Sequence, residues 1–395
     1  MKKVLIFLRE DSIMPKGGPA GYVYNLLKGI KDDSVEISLL PPASNKTKLK
    51  NKYDKLPLCV KSIYRVLGRY NEFKKLSVPT SGITAEYLNS FDAIHFHSCF
   101  SLYKNLKLLK EYKGKVLLTS HCPKPPHREM IEDMYSDFER KLYGEKHLKV
   151  FENATEAAFD RADYIIFPCE EAEDPYINGW SKYNLIKERN KHKYLYMPTG
   201  VDSCLEKVKL TRNEIRNKYN IPNDAFLISY VGRHNTVKGY DNLKKIASKF
   251  SKNDNVYFLI AGEEAPLKRP NLSFWIEAGW TKDPYSLEAA SDIFVLPNKE
   301  TYFDLVLLEV LSLGVKVLIS NTGGNKFFKK YDCEDIHYFS DVNEAVQKIY
   351  DLKKKNNNIS NTLNRQLYLK YFTSENFADN YIKILEGILW GYVRK

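Results

Sequence analysis

The chain has 395 residues, more than a single hydrophobic core usually fills, so two domains are expected. Hydrophobic residues make up 43% and charged residues 28%, and Gly and Pro number 19 and 17, which excludes a largely disordered or collagen-like chain. The formal net charge is +12, but within residues 1–200 the whole basic excess of 8 lies between 46 and 75, a patch of the kind that attracts phosphates.

Residues 4–8 are apolar, too short a run for a secretory signal, and no run approaches the length of a membrane span. Six Cys lie far apart with no CxxC pair, which points to reduced thiols in a cytoplasmic protein. Residues 3–8 read as a strand buried on both faces. A loop with Gly17, Gly18 and Gly21 follows, then helical spacing over 22–29. Strand, glycine loop and helix open a nucleotide-binding α/β unit. Further buried strands are expected at 35–40, 93–97, 115–119 and 164–167, with helices at 102–112 and 140–161.

The pattern restarts with a strand at 226–231, a loop at 232–239 and a helix at 240–250. Strands are expected at 256–261, 272–275, 293–296 and 315–319. Pro198 and Gly200 punctuate the boundary between the two halves. The polar stretch 353–358 reads as a helix end and loop. A final helix opens at Thr373 or Ser374, and its apolar tail, Ile382, Leu385, Ile388, Leu389 and Trp390, must pack on something. The fold class is α/β, with parallel sheets covered by helices on both faces. The expected domains are 1–203, 204–371 and a terminal helix, 372–395.

Chemistry concentrates in two places. Arg233 and Lys238 lie five residues apart in a loop between a strand and a helix. Arg can grip a diphosphate bidentately and Lys can meet it as a point charge, although loop cations are also commonly just solvated. Glu309 sits inside an otherwise apolar helix, where a carboxylate needs either a ligand or a structural partner.

These signals, with Gly17-Gly18, His121, the segment 198–202, Gly232, Ile260 to Gly262, the segment 289–297 and the segment 372–376 in the same order, resemble the retaining glycosyltransferases of GT-B fold, family 4. The resemblance covers nearly the whole chain. It implies two Rossmann-like domains facing across a cleft, the first for the acceptor and the second for a nucleotide-sugar donor, with the last helix crossing back to the first domain. It implies that Arg233 and Lys238 hold the donor diphosphate and stabilise its developing charge. Glu309 then accepts hydrogen bonds from the ribose hydroxyls, His121 stands near the donor sugar, and Gly17, Gly18 and Gly232 let backbone approach the donor. No Asp-x-Asp metal motif occurs, and neither a metal nor a cofactor is expected.

The chain departs from the family pattern in one stretch. Eight residues before Glu309, with seven residues between, the family has a second Glu that touches the transferred sugar; here that place is Thr301, with Glu300 one residue earlier. Either Glu300 fills the role, or Thr301 and the backbone N–H groups of Phe303, Asp304 and Leu305 do. Asp304 also stands where the family usually has Gly.

The basic segment 46–75 belongs to the first domain. Its later half places Val60, Ile63, Leu67 and Tyr70 at helical spacing among Lys61, Arg65, Arg69 and Lys74. That suits either an amphipathic helix on anionic lipid or a basic helix packed on its domain. Lys124, His127 and Arg128 follow His121 and could add phosphate contacts at the acceptor side. The expected partners are a nucleotide-sugar, with UDP or GDP, and a glycan or lipid-linked acceptor, in surface polysaccharide or glycoconjugate synthesis at the inner membrane face. No nucleic-acid motif is present. The alternative from another class is a non-catalytic GT-B subunit that binds a partner glycosyltransferase or a glycan.

Overall fold

The computed structural model describes residues 1–15, 17–42, 57–355 and 363–391. Lys46, Lys48, Lys50, Lys52 and Lys55 of the basic patch, and residues 356–358, lie outside the described residues.

The first half holds strands β1 (Lys2–Arg9), β2 (Val35–Leu40), β3 (Ala93–Phe96), β4 (Lys115–Leu118), β5 (Tyr164–Phe167) and β6 (Tyr194–Tyr196). They form one parallel sheet in the order β2-β1-β3-β4-β5-β6. The second half holds β7 (Phe226–Val231), β8 (Val256–Ala261), β9 (Trp275–Gly279), β10 (Ile293–Leu296), β11 (Val317–Ser320) and β12 (Ile336–Phe339). Its parallel sheet runs β12-β11-β10-β7-β8-β9. Both are doubly wound, Rossmann-like sheets. Their central strands are apolar on both faces because helices cover both; Val4 to Phe7 and Ile293 to Leu296 are all buried.

The helices that bear on the site are α1 (Gly18–Gly29), α2 (Leu58–Tyr70), α3 (Cys99–Lys104), α4 (Pro126–Met134), α5 (Glu145–Arg161), α6 (Tyr240–Ala247), α7 (Pro284–Ala289), α8 (Leu305–Leu313) and α9 (Ser374–Trp390). Thr373 caps α9, its hydroxyl accepting from the Asn376 N–H at 3.1 Å. From there Phe377, Ala378, Tyr381, Ile382 and Leu385 run back onto the first half and share a core with Val4, Val23 and Leu26. The approach to α1 is close: a Cβ on Gly29 would lie 1.9 Å from the Ser374 carbonyl oxygen, so only glycine fits there. One apolar cluster runs through the junction, joining Phe7 and Phe167 to Tyr302, Phe303 and Phe372.

Several expected elements are corrected. The helix expected at 102–112 is α3 followed by a 3-10 turn, Leu108–Glu111. Buried Asn105 breaks it, its amide donating to Ser101 O at 2.8 Å and to Thr80 Oγ1 at 3.0 Å. The strand expected at 272–275 starts at Trp275 instead, because the Trp275 N–H closes a turn onto Leu272 O at 3.1 Å. The helix expected to 250 stops at Ala247, and the strand expected from 315 begins at Val317. Edge strands β6 and β12 had no clear sequence signal, being short and mixed in polarity.

Candidate active site

Each doubly wound sheet has a point where strand order reverses, and ligands sit in the crevice at the carboxyl ends there. In the first sheet this is between β1 and β3, and in the second between β10 and β7. The loop after β1 carries Gly17 and Gly18. Gly18 has φ +73°, nothing lies within 4 Å of a Cβ built on either residue, and no side chain caps α1.

The ends of β3 and β4 carry a row of imidazoles. His95 is held between Tyr381 of α9 (Nδ1 to Oη, 3.0 Å) and Thr119 (Nε2 to Oγ1, 2.9 Å). Its ring lies 4.2 Å from that of His97. Nδ1 of His97 lies 2.8 Å from Nε2 of His121, and the Tyr22 ring meets His121 edge-on at 4.7 Å. Burial lowers all three histidines, His95 and His121 to about 3, so the row is neutral at physiological pH.

The second half presents charge. Adjacency of β7 and β10 brings the loop 232–239 beside the loop 297–304. Gly239 locks the two together: its φ is +66°, and a Cβ there would lie 1.6 Å from the Pro297 carbonyl oxygen. Arg233 is exposed, and its backbone carbonyl accepts from Tyr230 Oη at 2.9 Å. Lys238 Nζ meets Asp304 Oδ1 at 2.5 Å, and Asn298 also donates to Asp304. Asp304 precedes α8 but does not cap it, so the first N–H groups of α8 stay without a side-chain acceptor.

Thr301 is buried, while its neighbour Glu300 turns to the first half, 3.9 Å from Lys124 Nζ. Phe303 packs on Phe327 and Phe328, and Leu305 begins α8 half-buried. Gly232 spends its N–H on Ala261 O at 3.0 Å. Glu309, one turn into α8, faces the helix α7. Burial pushes its carboxyl up to about 6, and Lys207 opposes that shift. Glu288 on α7 is fully buried, and neither carboxylate oxygen has a hydrogen-bond partner in the structure. Burial, and then the charge of Glu309, raise it well above the usual carboxylate range.

The two halves meet across this crevice. Tyr302 reaches into the first half, its hydroxyl donating to Ile166 O at 3.4 Å and its ring 6.4 Å from that of His121. The positive charge of Arg233 is felt by Glu129 on α4. Thus His121, Arg233, Lys238, Glu300, Thr301 and Asp304 border one crevice. Among the described residues no group of three or more His, Cys, Asp or Glu stands close enough to hold a metal ion.

Lys124 and Arg128 are not the solvated loop cations that loops usually carry. Lys124 is 9% exposed and bonds Glu132 at 3.0 Å and Asp133 at 3.3 Å. Burial opposes its charge, and those carboxylates more than offset burial and raise its pKa. Arg128 pairs with Glu132 at 2.6 Å and donates to Gly179 O. His127 is buried beside Trp180. Lys61, Arg65 and Arg69 all lie on α2, with Arg69 over the Tyr135 ring. The apolar stripe of α2 points outward: Ile63, Tyr64 and Leu67 are 60%, 59% and 54% exposed.

His97, Tyr381 and Glu288 were missed in the sequence. Two of them left a trace. His95 and His97 alternate at a strand's carboxyl end, and Glu288 is the one acid in the apolar run 287–290.

With this geometry in view, the comparisons with known proteins are direct. Residues 211–365 match the family described as glycosyl transferases group 1. The chain is 25% identical over 317 residues to an uncharacterized 41.2 kDa protein in the cps region of Klebsiella pneumoniae, covering 72% of this chain and 80% of that one. It is 24% identical over 162 residues to the O-antigen biosynthesis glycosyltransferase WclY of Escherichia coli, covering 36% of this chain and 44% of WclY. The fold is similar to sucrose-phosphate synthase from Thermosynechococcus elongatus (TM-score 0.66, 16% identity, 99% of this chain and 100% of that one). It is also similar to HepE from Anabaena in complex with UDP (TM-score 0.65, 13% identity, 98% and 100%). Residues 211–365 thus match glycosyl transferases group 1, within a chain whose two parallel Rossmann-like sheets have the GT-B fold.

Proposed function

We propose that the chain is a retaining glycosyltransferase of family 4. It moves a sugar from a UDP- or GDP-sugar to a glycan or lipid-linked saccharide in surface polysaccharide or glycoconjugate synthesis. One observation carries this: Arg233, Lys238 and the uncapped start of α8 converge at one switch point, opposite the neutral imidazole of His121. Two cations and a helix N-terminus suit a diphosphate, and a neutral hydrogen-bonding ring suits a sugar. HepE has been solved with UDP and with UDP-glucose, which supports a nucleotide-sugar here.

In this scheme the bond from the anomeric carbon to the diphosphate oxygen breaks, and negative charge grows on the leaving phosphate. Arg233, Lys238 and the α8 N–H groups stabilise that charge without a metal ion. The acceptor oxygen bonds to the same face of the anomeric carbon, and its proton passes to a phosphate oxygen. Glu309 accepts from the ribose hydroxyls. Glu300, or Thr301 with the N–H groups of residues 303–305, meets the transferred sugar. Residues 1–203 hold the acceptor, 204–371 the donor, and 372–395 tie the two.

The protein works at the cytoplasmic membrane face in this scheme. No helix among the described residues is long and apolar enough to cross a membrane. The outward stripe of Ile63, Tyr64 and Leu67, on a helix bearing Lys61, Arg65 and Arg69, fits peripheral contact with anionic lipid.

The test is a screen of UDP-, GDP- and other nucleotide-sugars by thermal shift and hydrolysis, beside Arg233→Ala. Stabilisation and slow release of nucleoside diphosphate from one donor, lost in the variant, is the expected result. A second function, a non-catalytic GT-B subunit that binds a partner enzyme or glycan, is favoured by one contact, the Asp304 carboxylate already neutralising Lys238. No shift and no hydrolysis with any donor would select it.

A further inference from the structure

His97 carries its weight outside the donor site. It is buried to 3% exposure at the end of β3, and its ring lies between those of His95, tilted at 36° with centroids 4.2 Å apart, and His121, at 24° and 5.1 Å. A neutral imidazole has one N–H and one bare nitrogen. The 2.8 Å contact between His97 Nδ1 and His121 Nε2 therefore needs a proton on one of the two and a bare nitrogen on the other. Nε2 of His97 decides which. It is fully buried and has no hydrogen-bond partner. A buried N–H without an acceptor is the rare and costly kind of orphan, so Nε2 is the bare nitrogen and the His97 proton sits on Nδ1. That N–H donates to Nε2 of His121, which must then be bare. The remaining proton of neutral His121 is on its Nδ1.

We infer that His97 is a positioning residue that fixes His121 as the Nδ1–H tautomer, so that His121 meets its ligand as a neutral hydrogen-bond donor and not as a base. The row is anchored at its other end, where His95 is held by both Tyr381 and Thr119. The backbone of His121 is fixed as well, at φ +60°, a left-handed conformation that histidine tolerates better than most residues. A donor at this place suits an oxygen of a sugar or phosphate. It leaves the acceptor's proton to the departing phosphate. The nature of that oxygen rests on the proposed transferase function; the tautomer does not.

The test is therefore one that reads the proton itself. Long-range proton–nitrogen correlation spectra of the full chain, labelled with nitrogen-15 at its eight His, are recorded at neutral pH, with His121→Asn to assign His121. The expected result is a protonated Nδ1 and a bare Nε2 on His121. A protonated Nε2 overturns the inference even if the protein is an active transferase, and the expected tautomer stands even if no donor is ever turned over. His97→Phe keeps the buried ring and removes the donor. It should release His121 to a mixture of tautomers and lower kcat for donor hydrolysis by roughly 10–100-fold, with KM little changed, the usual cost of losing a partner that orients a functional histidine. His97→Asn, which offers an amide N–H in place of Nδ1, should recover most of that loss. An unchanged His121 spectrum in His97→Phe contradicts the assignment. Should that variant not fold, the wild-type spectrum alone decides.

Discussion

The two banks of the crevice solve opposite problems. On the first half, polar groups are buried until they lose their charge: three imidazoles lie in a row, His95 held by two hydroxyls and His97 paired with His121. On the second half, charge is kept at the surface of loops, where Arg233 is exposed and Lys238 is only partly covered. The difference teaches what each bank can bind. A neutral, dry bank discriminates hydroxyl geometry, because an unmatched hydrogen-bond group there is costly. A cationic, wet bank with an uncapped helix end attracts phosphate and tolerates its charge growing. The pairing of buried Glu288 with half-buried Glu309 is where the second half borrows the strategy of the first.

The largest expected effect breaks the cationic bank. Arg233→Ala should lower donor turnover by about 10²–10³-fold, the range for removing one preorganised donor from a developing anion. Equal kcat/KM in the variant would contradict the role. Of opposite sign, Asp304→Asn should free Lys238 from its 2.5 Å ion pair and tighten nucleoside diphosphate binding, by roughly threefold to tenfold for a partly exposed pair. Titration calorimetry reads this directly, and weaker binding would mean that Asp304 serves the ligand rather than competing with it.

The carboxyl pair gives a pH test with a definite sign. Burial raises Glu309 to about 6 in the fold, above the usual value near 4.3 of an unfolded chain. The native state then holds more protons than the unfolded state between these values, so this group's contribution to stability is lost as pH rises through about 6. Glu309→Gln should therefore melt higher than wild type at pH 8, with the gap closing by pH 4.5. A gap that widens on acidification would show the carboxylate to be stabilised instead. A smaller effect tests the neutral row: Tyr381→Phe removes the hydroxyl at His95 Nδ1 and should cost about 1 kcal/mol in denaturant unfolding. On the outer surface, Ile63→Ser with Leu67→Ser should reduce partition onto anionic vesicles without moving Tm, since both side chains are exposed. Unchanged partition would leave that stripe without a membrane role.

The fold was largely legible because parallel central strands must be apolar on both faces, and Val4 to Phe7 or Ile293 to Leu296 cannot easily be read otherwise. Edge strands β6 and β12 escaped because they are only three and four residues long and partly covered. Residues 102–112 misled because a helical pattern does not reveal that Asn105 will be buried and will take backbone groups for itself. In the site, the residues placed on loops between a strand and a helix, Arg233 and Lys238, announced themselves by position. His97 and Glu288 did not, since their significance lies in burial and in what faces them, and the burial of Lys124 among carboxylates was hidden for the same reason.

The most direct test of the contrast between the banks is calorimetric titration of UDP and GDP into wild type, Arg233→Ala and His121→Ala, with hydrolysis of the matching nucleotide-sugar measured in parallel. Loss of diphosphate binding in Arg233→Ala, with binding kept within a few fold but hydrolysis impaired in His121→Ala, is the predicted outcome. Equal loss of diphosphate affinity in both variants, or in neither, would contradict the division of phosphate and sugar between the two halves.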